Sequence, residues 1–394
     1  MEYSYRFRIY PTEEQKNQIA KTIGAGRFVF NYFLQQRKEL YETEKKSLNW
    51  VAQSRDLTAL RNMAEYSWLK DIERSALQNE LRNLEAAYKN FFRRVKNGEK
   101  AGFPRFKSRF DQKQSYRTSS NNIRIGEDYI WLPKLGNVKC VVSKAVEGRP
   151  VSATVSHVAS GKYFVSVCCV DVDIAPLPPT GAVVGLDLGL RALVITSDGV
   201  EYANHKYLAQ SQKKLAKLQR DLARKQKGSA NREKARLRVA RLNEHIANQR
   251  KDTLHNITTE LVRTYDVICI EDLDFAGMRE DKQGGNKKKS HNFSKSLADA
   301  SLGEFRRQLE YKAAWYGKTV VRIDRNCPVN QICSICGNRF DSPISPEVKR
   351  WSCPECGTVH DRNFNAAKNI LAEGVRQLNS LPLDEESLPE KTAK

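Results

Sequence analysis

Residues 183–195 run Val-Val-Gly-Leu-Asp-Leu-Gly-Leu-Arg-Ala-Leu-Val-Ile. The segment is apolar except at Asp187 and Arg191, which is typical of a strand hairpin buried on both faces of a sheet. A charged carboxylate at the centre of such a strand is costly unless a partner or a metal ion offsets the charge. Asp187 is therefore a candidate metal ligand, with a salt-bridged core residue as the alternative.

A second apolar run, Val267–Ile270, predicts another buried strand and places Glu271 at its carboxyl end. Two carboxylates from adjacent strands can hold Mg²⁺ for phosphodiester hydrolysis. The Gly-x-Asp-x-Gly element at 185–189 also occurs in actin-like ATPases and sugar kinases, where it lies against phosphates. That rival enzyme class needs a second Gly-rich phosphate loop and an adenosine pocket, and the sequence shows neither.

The net charge of the chain indicates which class of molecule it binds. The chain has 394 residues and a formal net charge of +21, and Lys and Arg that neutralise phosphates gain affinity by releasing counterions. Nucleic acid is thus the expected partner, and a merely solubilising or ribosome-like surface is the alternative. No apolar run is long enough to span a membrane and the first residues lack a secretion signal, so we expect a soluble protein of the prokaryotic cytoplasm, associated with the nucleoid.

Four cysteines form two Cys-x-x-Cys pairs, each followed by glycine: Cys333 with Cys336, and Cys353 with Cys356. Two such turns supply the four thiolates of a tetrahedral zinc site. A redox pair would need one Cys-x-x-Cys, not two. Because four thiolates leave no open coordination position for water, the zinc is expected to be structural.

The rest of the chain divides by its periodicity. Residues 3–10 alternate between apolar and polar, which predicts a strand, and residues 12–96 have a helical period. Short β-branched runs then predict a small β-barrel or sandwich that the first strand joins. These runs are 122–125, 129–132, 138–142, 151–158 and 163–170.

Three later segments complete this pattern. Residues 206–266 are rich in Lys and Arg and predict a basic helical hairpin that turns at Gly228 and Ser229; an ordinary solvated helix pair is the alternative. Residues 282–291 predict a flexible basic loop. The acidic segment 381–394 is typical of a disordered tail.

Taken together, these motifs resemble the transposon-encoded TnpB family, which is related to type V CRISPR effectors. The similarity extends from Tyr5 to about Ala372. It rests on 185–189, 270–273 and the cysteine pairs followed by the segment 360–370, His-Asp-Arg-Asn-Phe-Asn-Ala-Ala-Lys-Asn-Ile, together with the segments 26–31, 88–92, 102–106 and 307–312.

The resemblance implies an α+β multidomain protein. Its parts are a wedge-like β-barrel (1–10 and 102–174), an inserted helical recognition lobe (11–101), a linker (175–181), a RuvC-like nuclease domain of RNase H type (182–326 and 358–376), a zinc ribbon (327–357) and a disordered tail (377–394). Family members pair a guide RNA with one DNA strand beside a short adjacent motif and cut DNA with Mg²⁺, so guide RNA and double-stranded target DNA are the implied partners.

The resemblance also implies residue roles. Trp50, Ser54, Arg74 and Gln78 match the family positions that contact the DNA duplex at the adjacent motif. The basic residues that lie among Phe92, Phe103 and Phe106 are candidates for contacts with the RNA backbone; they are Arg93, Arg94, Arg105 and Lys107.

One position departs from the family pattern. The last motif of the family has a second aspartate that is the third metal ligand, and here that position is Asn363. A neutral amide removes one negative charge from the proposed site, so cleavage should fall sharply. Asp361 is a candidate substitute, although a spacing of two puts it on another face if the segment is helical. The chain is therefore expected to be either an RNA-guided DNA endonuclease or a nuclease-dead RNA-guided transcriptional repressor.

Overall fold

The protein is described by a computed structural model that covers residues 1–110, 114–119, 123–274, 277, 287–341, 344–345 and 347–380, with the backbone alone at 287–292. The chain divides into two compact units, Met1–Asp173 and Ile174–Lys394. Within the described residues, no helix has the length and apolar character needed to cross a membrane.

The helices of the first unit are α1 (Glu13–Glu44), α2 (Trp50–Asn62), a short 3₁₀ helix (Ala64–Asp71) and α3 (Arg74–Lys96). Helix α1 begins at a capping box in which Thr12 and Gln15 exchange side-chain and backbone hydrogen bonds. Apolar side chains from all four helices, among them Phe33, Leu57 and Leu77, form one core.

The strands of the first unit form one sheet in the order β2-β6-β7-β1-β5-β4-β3. All neighbouring strands of this sheet are antiparallel, and β1 lies between β7 and β5. Tyr5, Phe7 and Ile9 of β1 are buried and alternate with exposed residues, as the sequence predicted. The strands are β1 (Tyr3–Tyr10), β2 (Gln114–Thr118), β3 (Arg124–Ile125), β4 (Tyr129–Leu132), β5 (Gly136–Val141), β6 (Arg149–His157) and β7 (Tyr163–Val170).

The second unit contains a five-stranded sheet in the order β10-β9-β8-β11-β12. Strands β8, β9 and β10 are consecutive antiparallel neighbours, whereas β11 is parallel to both β8 and β12. The strands are β8 (Val183–Leu188), β9 (Ala192–Thr196), β10 (Glu201–Ala203), β11 (Val267–Glu271) and β12 (Thr319–Ile323).

Helices cover both faces of this sheet. The helices of the unit are α4 (Tyr207–Ala223), α5 (Ala230–Thr264), α6 (Lys287–Ala300), α7 (Leu302–Trp315) and α8 (Arg362–Ser380). Leu186 and Ile270 pack with α5 and α7 in one core. Cys269 and Ile323, whose side chains point to the other face, pack with Ile370 of α8. Because side chains alternate along a strand, odd-numbered residues of β8 and β11 face α8.

A small two-stranded sheet lies between β12 and α8. It consists of β13 (Arg350–Ser352) and β14 (Val359–Asp361), which pair antiparallel, and β14 leads directly into α8. The first cysteine pair precedes β13, and the second lies in the turn between β13 and β14.

Three segments differ from the sequence-based expectations. Helix α8 continues to Ser380, four residues into the segment assigned to the tail, and residues 381–394 lie outside the described part. Helix α6 begins at Lys287, so the second half of the expected 282–291 loop is helical, while 282–286 are not described. Strand β2 has no counterpart among the predicted strands.

Candidate metal centres and nucleic-acid surface

The strand register brings Asp187 and Glu271 to the same edge of the second sheet. Leu186 pairs with Ile270 across the parallel strands β8 and β11, and the next residue on each strand is the carboxylate. Gly185 and Cys269 face α8. Each carboxylate lies two residues further along the same strand, and residues two apart in a strand share a face. The two acids therefore lie side by side at the carboxyl ends of adjacent strands, on the face covered by α8.

A close approach between strand and helix makes this arrangement possible. A Cβ atom at Gly185 would lie 2.2 Å from the carbonyl oxygen of Ala367 and 2.6 Å from the backbone nitrogen of Leu371. Gly374 allows a similar approach, because a Cβ there would lie 2.3 Å from the Cys269 sulfur. Asp361 and Phe364, at the start of α8, line a pocket with Ile195, the residue that pairs with Asp187. The first turn of α8 therefore lies near the edge that carries the two acids.

The surroundings disfavour the charged form of both acids. Burial, and after it the negative charge of Glu271, raise the pKa of Asp187 to about 7. Burial also raises the pKa of Glu271. The Arg362 guanidinium opposes both shifts and lowers each pKa. A divalent cation would stabilise the charged forms, so the donor set fits a hard ion such as Mg²⁺.

The two remaining candidate metal ligands, Asp361 and Asn363, lie at the start of α8. Asp361 is the last residue of β14 and caps the helix, since its Oδ1 accepts hydrogen bonds from the backbone N–H of Asn363 (3.0 Å) and of Phe364 (3.1 Å). The Asn363 side chain lies in the first turn, and its Oδ1 accepts a hydrogen bond from Arg362 Nη1 at 3.1 Å. Asp361 also contributes to the raised pKa of Asp187, so its carboxylate lies within electrostatic reach of that residue.

Among the described residues, the only group of three or more His, Cys, Asp or Glu ligand atoms that lie within 4.8 Å of one another is formed by Cys333, Cys336, Cys353 and Cys356. The Sγ atoms of Cys333 and Cys356 are 3.8 Å apart, and those of Cys336 and Cys353 are 3.7 Å apart. A tetrahedral ion with Zn–S bonds of about 2.3 Å requires S···S separations of about 3.8 Å. The four cysteines therefore fit a zinc ion.

The two cysteine turns have the same backbone geometry. The N–H groups of Gly337 and Gly357 each donate to the carbonyl of the first cysteine of their pair at 2.9 Å. Both glycines have a positive φ, +75° and +68°, which side chains rarely tolerate. His360 Nε2 lies 3.1 Å from Cys333 Sγ, in position for a hydrogen bond to that thiolate.

Two asparagines of α8 attach this four-cysteine segment to the helix. Asn365 accepts from the Ser334 N–H at 2.8 Å and donates to the Ile332 carbonyl at 2.7 Å. Asn369, one turn later, donates to the Ile332 and Val329 carbonyls, both at 2.8 Å. Both side chains are buried. The first turns of α8 are therefore held by the four-cysteine segment on one side and by the sheet on the other.

In the first unit, the four candidates for reading the DNA motif lie on α2 and α3, which pack together. Gln78 Nε2 donates to Ser54 Oγ at 3.2 Å, and Arg74 Nη2 donates to Thr58 Oγ1 at 3.4 Å. The Arg82 guanidinium lies 4.9 Å from the centroid of the Trp50 ring. The four residues thus share one helical surface.

The candidates for RNA contact have two kinds of surroundings. Arg93, Arg94 and Arg105 are exposed, and so are the neighbouring rings of Phe92, Phe103 and Phe106. Lys107 differs, because its ammonium forms an ion pair with the buried Glu80 and lies 4.3 Å from the Phe30 ring centroid. Its contacts are with the first unit's own helices.

Sequence reasoning missed Arg362, Asn365 and Asn369. The two asparagines carried a readable signal, since they recur four residues apart among Ala366, Ala367 and Ile370 on an otherwise apolar helix face. Arg362 carried none, because its effect on the acids depends on how α8 crosses the sheet.

Three family models match the chain. They are a family described as "Probable transposase" at residues 166–282, a Cas12f1-like TNB domain at 303–370, and a helix-turn-helix domain at 1–46.

Two curated relatives match along nearly the whole chain. One from Streptomyces pristinaespiralis, named "Putative RNA-guided DNA endonuclease", is 37% identical over 94% of this chain and 89% of its own length. Another from Escherichia coli (strain K12), named "Putative RNA-guided DNA endonuclease InsQ", is 34% identical over 94% of this chain and 92% of its own. A solved Cas12f1–sgRNA–target DNA complex has a protein chain with a similar fold, with a TM-score of 0.53 at 12% identity, over 94% of this chain and 98% of that one.

Proposed function

Because this chain belongs to the transposon-encoded TnpB family, we propose that it is an RNA-guided DNA-binding protein with a RuvC-like, metal-dependent nuclease centre. In this proposal, the sheet of the first unit is the wedge-like barrel and the helices α1–α3 are the recognition lobe. The second unit contains the nuclease domain and the zinc ribbon.

The observation that carries the proposal is the pair of carboxylates, Asp187 and Glu271, at the carboxyl ends of neighbouring parallel strands. Three antiparallel strands followed by two parallel ones, in the order β10-β9-β8-β11-β12, match the RNase H type of sheet that the resemblance implies. An acidic pair at this edge is suited to phosphodiester hydrolysis. A solvated surface pair would have ordinary pKa values, whereas burial raises both of these.

Asp187 and Glu271 would together hold Mg²⁺, and Asn363 would add a neutral oxygen. The bound metal would activate a water molecule and stabilise the leaving oxygen of the phosphodiester. The chain's own contribution is to fix the two carboxylates on rigid strands and to hold them half-buried near the first turn of α8. The four cysteines would hold zinc, which has no open position and serves the structure.

A second candidate function, guided occupancy of DNA without cutting, is favoured by the surroundings of Asn363. Its carbonyl oxygen already accepts a hydrogen bond from Arg362, and the Arg362 guanidinium is close enough to lower the pKa of both acids. A cation beside the site competes with a bound metal ion, and the missing carboxylate weakens the site further. A repressor that stays on its target would need no stronger metal site.

The first unit would supply the surfaces that contact the DNA motif and the guide RNA. We propose that the α2–α3 surface, with Trp50, Ser54, Arg74 and Gln78, reads the short motif beside the DNA target. The exposed Arg93, Arg94 and Arg105 would contact the RNA backbone. Lys107 would support this region through its ion pair with Glu80.

The test is to co-express the chain with its flanking DNA, purify the bound RNA, and incubate the complex with a matching target plasmid and Mg²⁺. Three proteins are compared: the unmodified chain, Asn363→Asp, and Asp187→Ala as the metal-site control. Binding is measured alongside cleavage, so that occupancy and cutting are read separately.

Cutting by the unmodified chain that is lost in Asp187→Ala would establish a working nuclease. Binding without cutting, with cleavage gained in Asn363→Asp, would establish a guided binder with a weakened centre. If Asn363→Asp binds its target and still does not cut, the third-ligand explanation is wrong. DNA binding that does not depend on the guide would overturn the proposal as a whole.

A further inference from the structure

Nearly half of the net charge of the protein is concentrated in one projecting element. Residues 207–253, here called the basic hairpin, comprise α4, the following turn and the first part of α5. They contain fourteen Lys and Arg against four Asp and Glu, a net charge of +10 out of +21. None of these fourteen Lys and Arg residues is buried in the structure, so this charge lies at the surface.

The direction of the hairpin follows from the packing of α5. The buried part of α5 that joins the sheet core begins at Leu254, which lines a small cavity with Leu193. Leu193 of β9 precedes Val194, which pairs with Leu188 at the carboxyl end of β8. At the other end of α5, the N–H of Asp266 donates to the Ala182 carbonyl, at the amino end of β8. Helix α5 therefore runs from the carboxyl edge of the sheet to its amino edge.

It follows that the hairpin extends past the edge that carries Asp187 and Glu271. The segment 230–253 has a length of about 36 Å at 1.5 Å per helical residue. At roughly 3.4 Å per base-pair step, this length matches about ten steps of a DNA duplex.

The base of the hairpin is fixed. The Asp299 carboxylate, which is buried, accepts hydrogen bonds from the Leu208 and Ala209 N–H groups at the start of α4. The same carboxylate pairs with Arg250 Nη2 of α5 at 3.2 Å. Tyr207 Oη and Thr253 Oγ1 are 2.7 Å apart across the two helices. One buried acid thus joins both helices and holds the projecting part in a defined direction.

We propose that the basic hairpin is a docking surface for the sugar–phosphate backbone of target DNA that is led to the edge of Asp187 and Glu271. This inference rests on the proposed function. DNA is the expected polymer because the hairpin leaves the sheet at the edge where the two carboxylates would act on DNA. Lys and Arg along successive turns would each neutralise a phosphate and release a counterion.

The experiment measures the affinity of the purified complex, with its guide RNA, for a matching DNA target over a range of NaCl concentrations. The hairpin variant is Lys217→Gln with Arg238→Gln, both of which are exposed in the structure. The plot of log K against log salt has a negative slope, and each lost phosphate contact makes it less steep by about 0.9. The double variant should therefore lose about 1.8 from the slope, which corresponds to roughly 30-fold weaker binding near 0.15 M salt.

Two controls separate charge from structure and position. Arg263→Gln removes one exposed charge at the opposite, amino edge of the sheet and should leave the slope unchanged, whereas either hairpin substitution alone should reduce its steepness by about 0.9. Lys217→Arg with Arg238→Lys keeps the hairpin charge and should retain the wild-type slope. The amount of RNA that copurifies is measured for every variant and should not change.

The outcomes distinguish this inference from the function on which it rests. Guided binding by the wild type, with equal slopes for the hairpin variant and the amino-edge control, would overturn the docking surface and leave the proposed function standing. Loss of RNA from the hairpin variant, with an unchanged slope for the complex that remains, would assign the hairpin to RNA instead and overturn the inference. Failure of guided binding in the wild type would overturn both.

Discussion

Replacing Asp187 with asparagine should stabilise the metal-free protein, and the gain should depend on pH. Burial and Glu271 raise the pKa of Asp187 from 3.8 to about 7. Between these values the folded state binds more protons at this group than the unfolded state does, so the free energy of unfolding falls as pH rises. The cost of the charged carboxylate is complete above about pH 7.

The size of the effect follows from the shift. About three pKa units at 1.36 kcal/mol each give roughly 4 kcal/mol as an upper limit. Relaxation and water entry reduce such a cost, so we expect Asp187→Asn to raise the free energy of unfolding of the second unit by about 2 to 4 kcal/mol near pH 8. Near pH 4 the two proteins should differ little.

The measurement is native-state hydrogen exchange of the β8 and β11 amides in magnesium-free buffer that contains zinc, corrected for intrinsic rates at each pH. These strands report on the second unit alone. Asp272→Asn is the matched control, because Asp272 pairs with Arg306 at 2.9 Å and its loss should destabilise the protein. A stability gain that is the same at all pH values, or a loss near pH 8, would refute the reasoning. Added Mg²⁺ should stabilise the wild type more than Asp187→Asn, and this difference should grow as pH rises through about 7.

Two further predictions concern the position of α8. Gly185→Ala should displace the helix, since its Cβ would lie 2.2 Å from the Ala367 carbonyl oxygen, and urea unfolding should show a loss of more than about 2 kcal/mol; Gly102→Ala, where a Cβ meets nothing within 4 Å, should change little. Asn369→Ala should leave the Val329 carbonyl without its buried partner and cost about 1 to 3 kcal/mol. Hydrogen exchange should then rise in the zinc ribbon and in the first turns of α8, and a rise spread evenly over the second unit would contradict this local role.

Several features of the fold could be predicted from short segments. The alternation in 3–10 predicted β1, and the change to a helical period predicted the helices that follow. The apolar runs 183–195 and 267–270 predicted β8, β9 and β11, because a strand buried on both faces needs side chains that favour burial at every position. The four-cysteine cluster is likewise local, since each Cys-x-x-Cys turn with its glycine brings two sulfurs together.

Other features depend on contacts between distant segments. The capping role of Asp361 and the hydrogen bond from Arg362 to Asn363 arise because β14 ends where α8 begins, against the sheet. Helix α6 begins inside a segment whose Gly and Lys content predicted a loop, so its boundary does not follow from composition alone.

The sequence by itself determined the family, the four-cysteine zinc motif and the presence of acids in two buried strands, because each depends on residue type and spacing within one segment. Only the tertiary structure decided that Asp187 and Glu271 share one edge and one face, that Arg362 opposes their pKa shifts, and that the basic hairpin projects past the same edge. The physical reason is that strand register, helix crossing and electrostatic reach are set by packing between segments that lie up to about 180 residues apart in the chain.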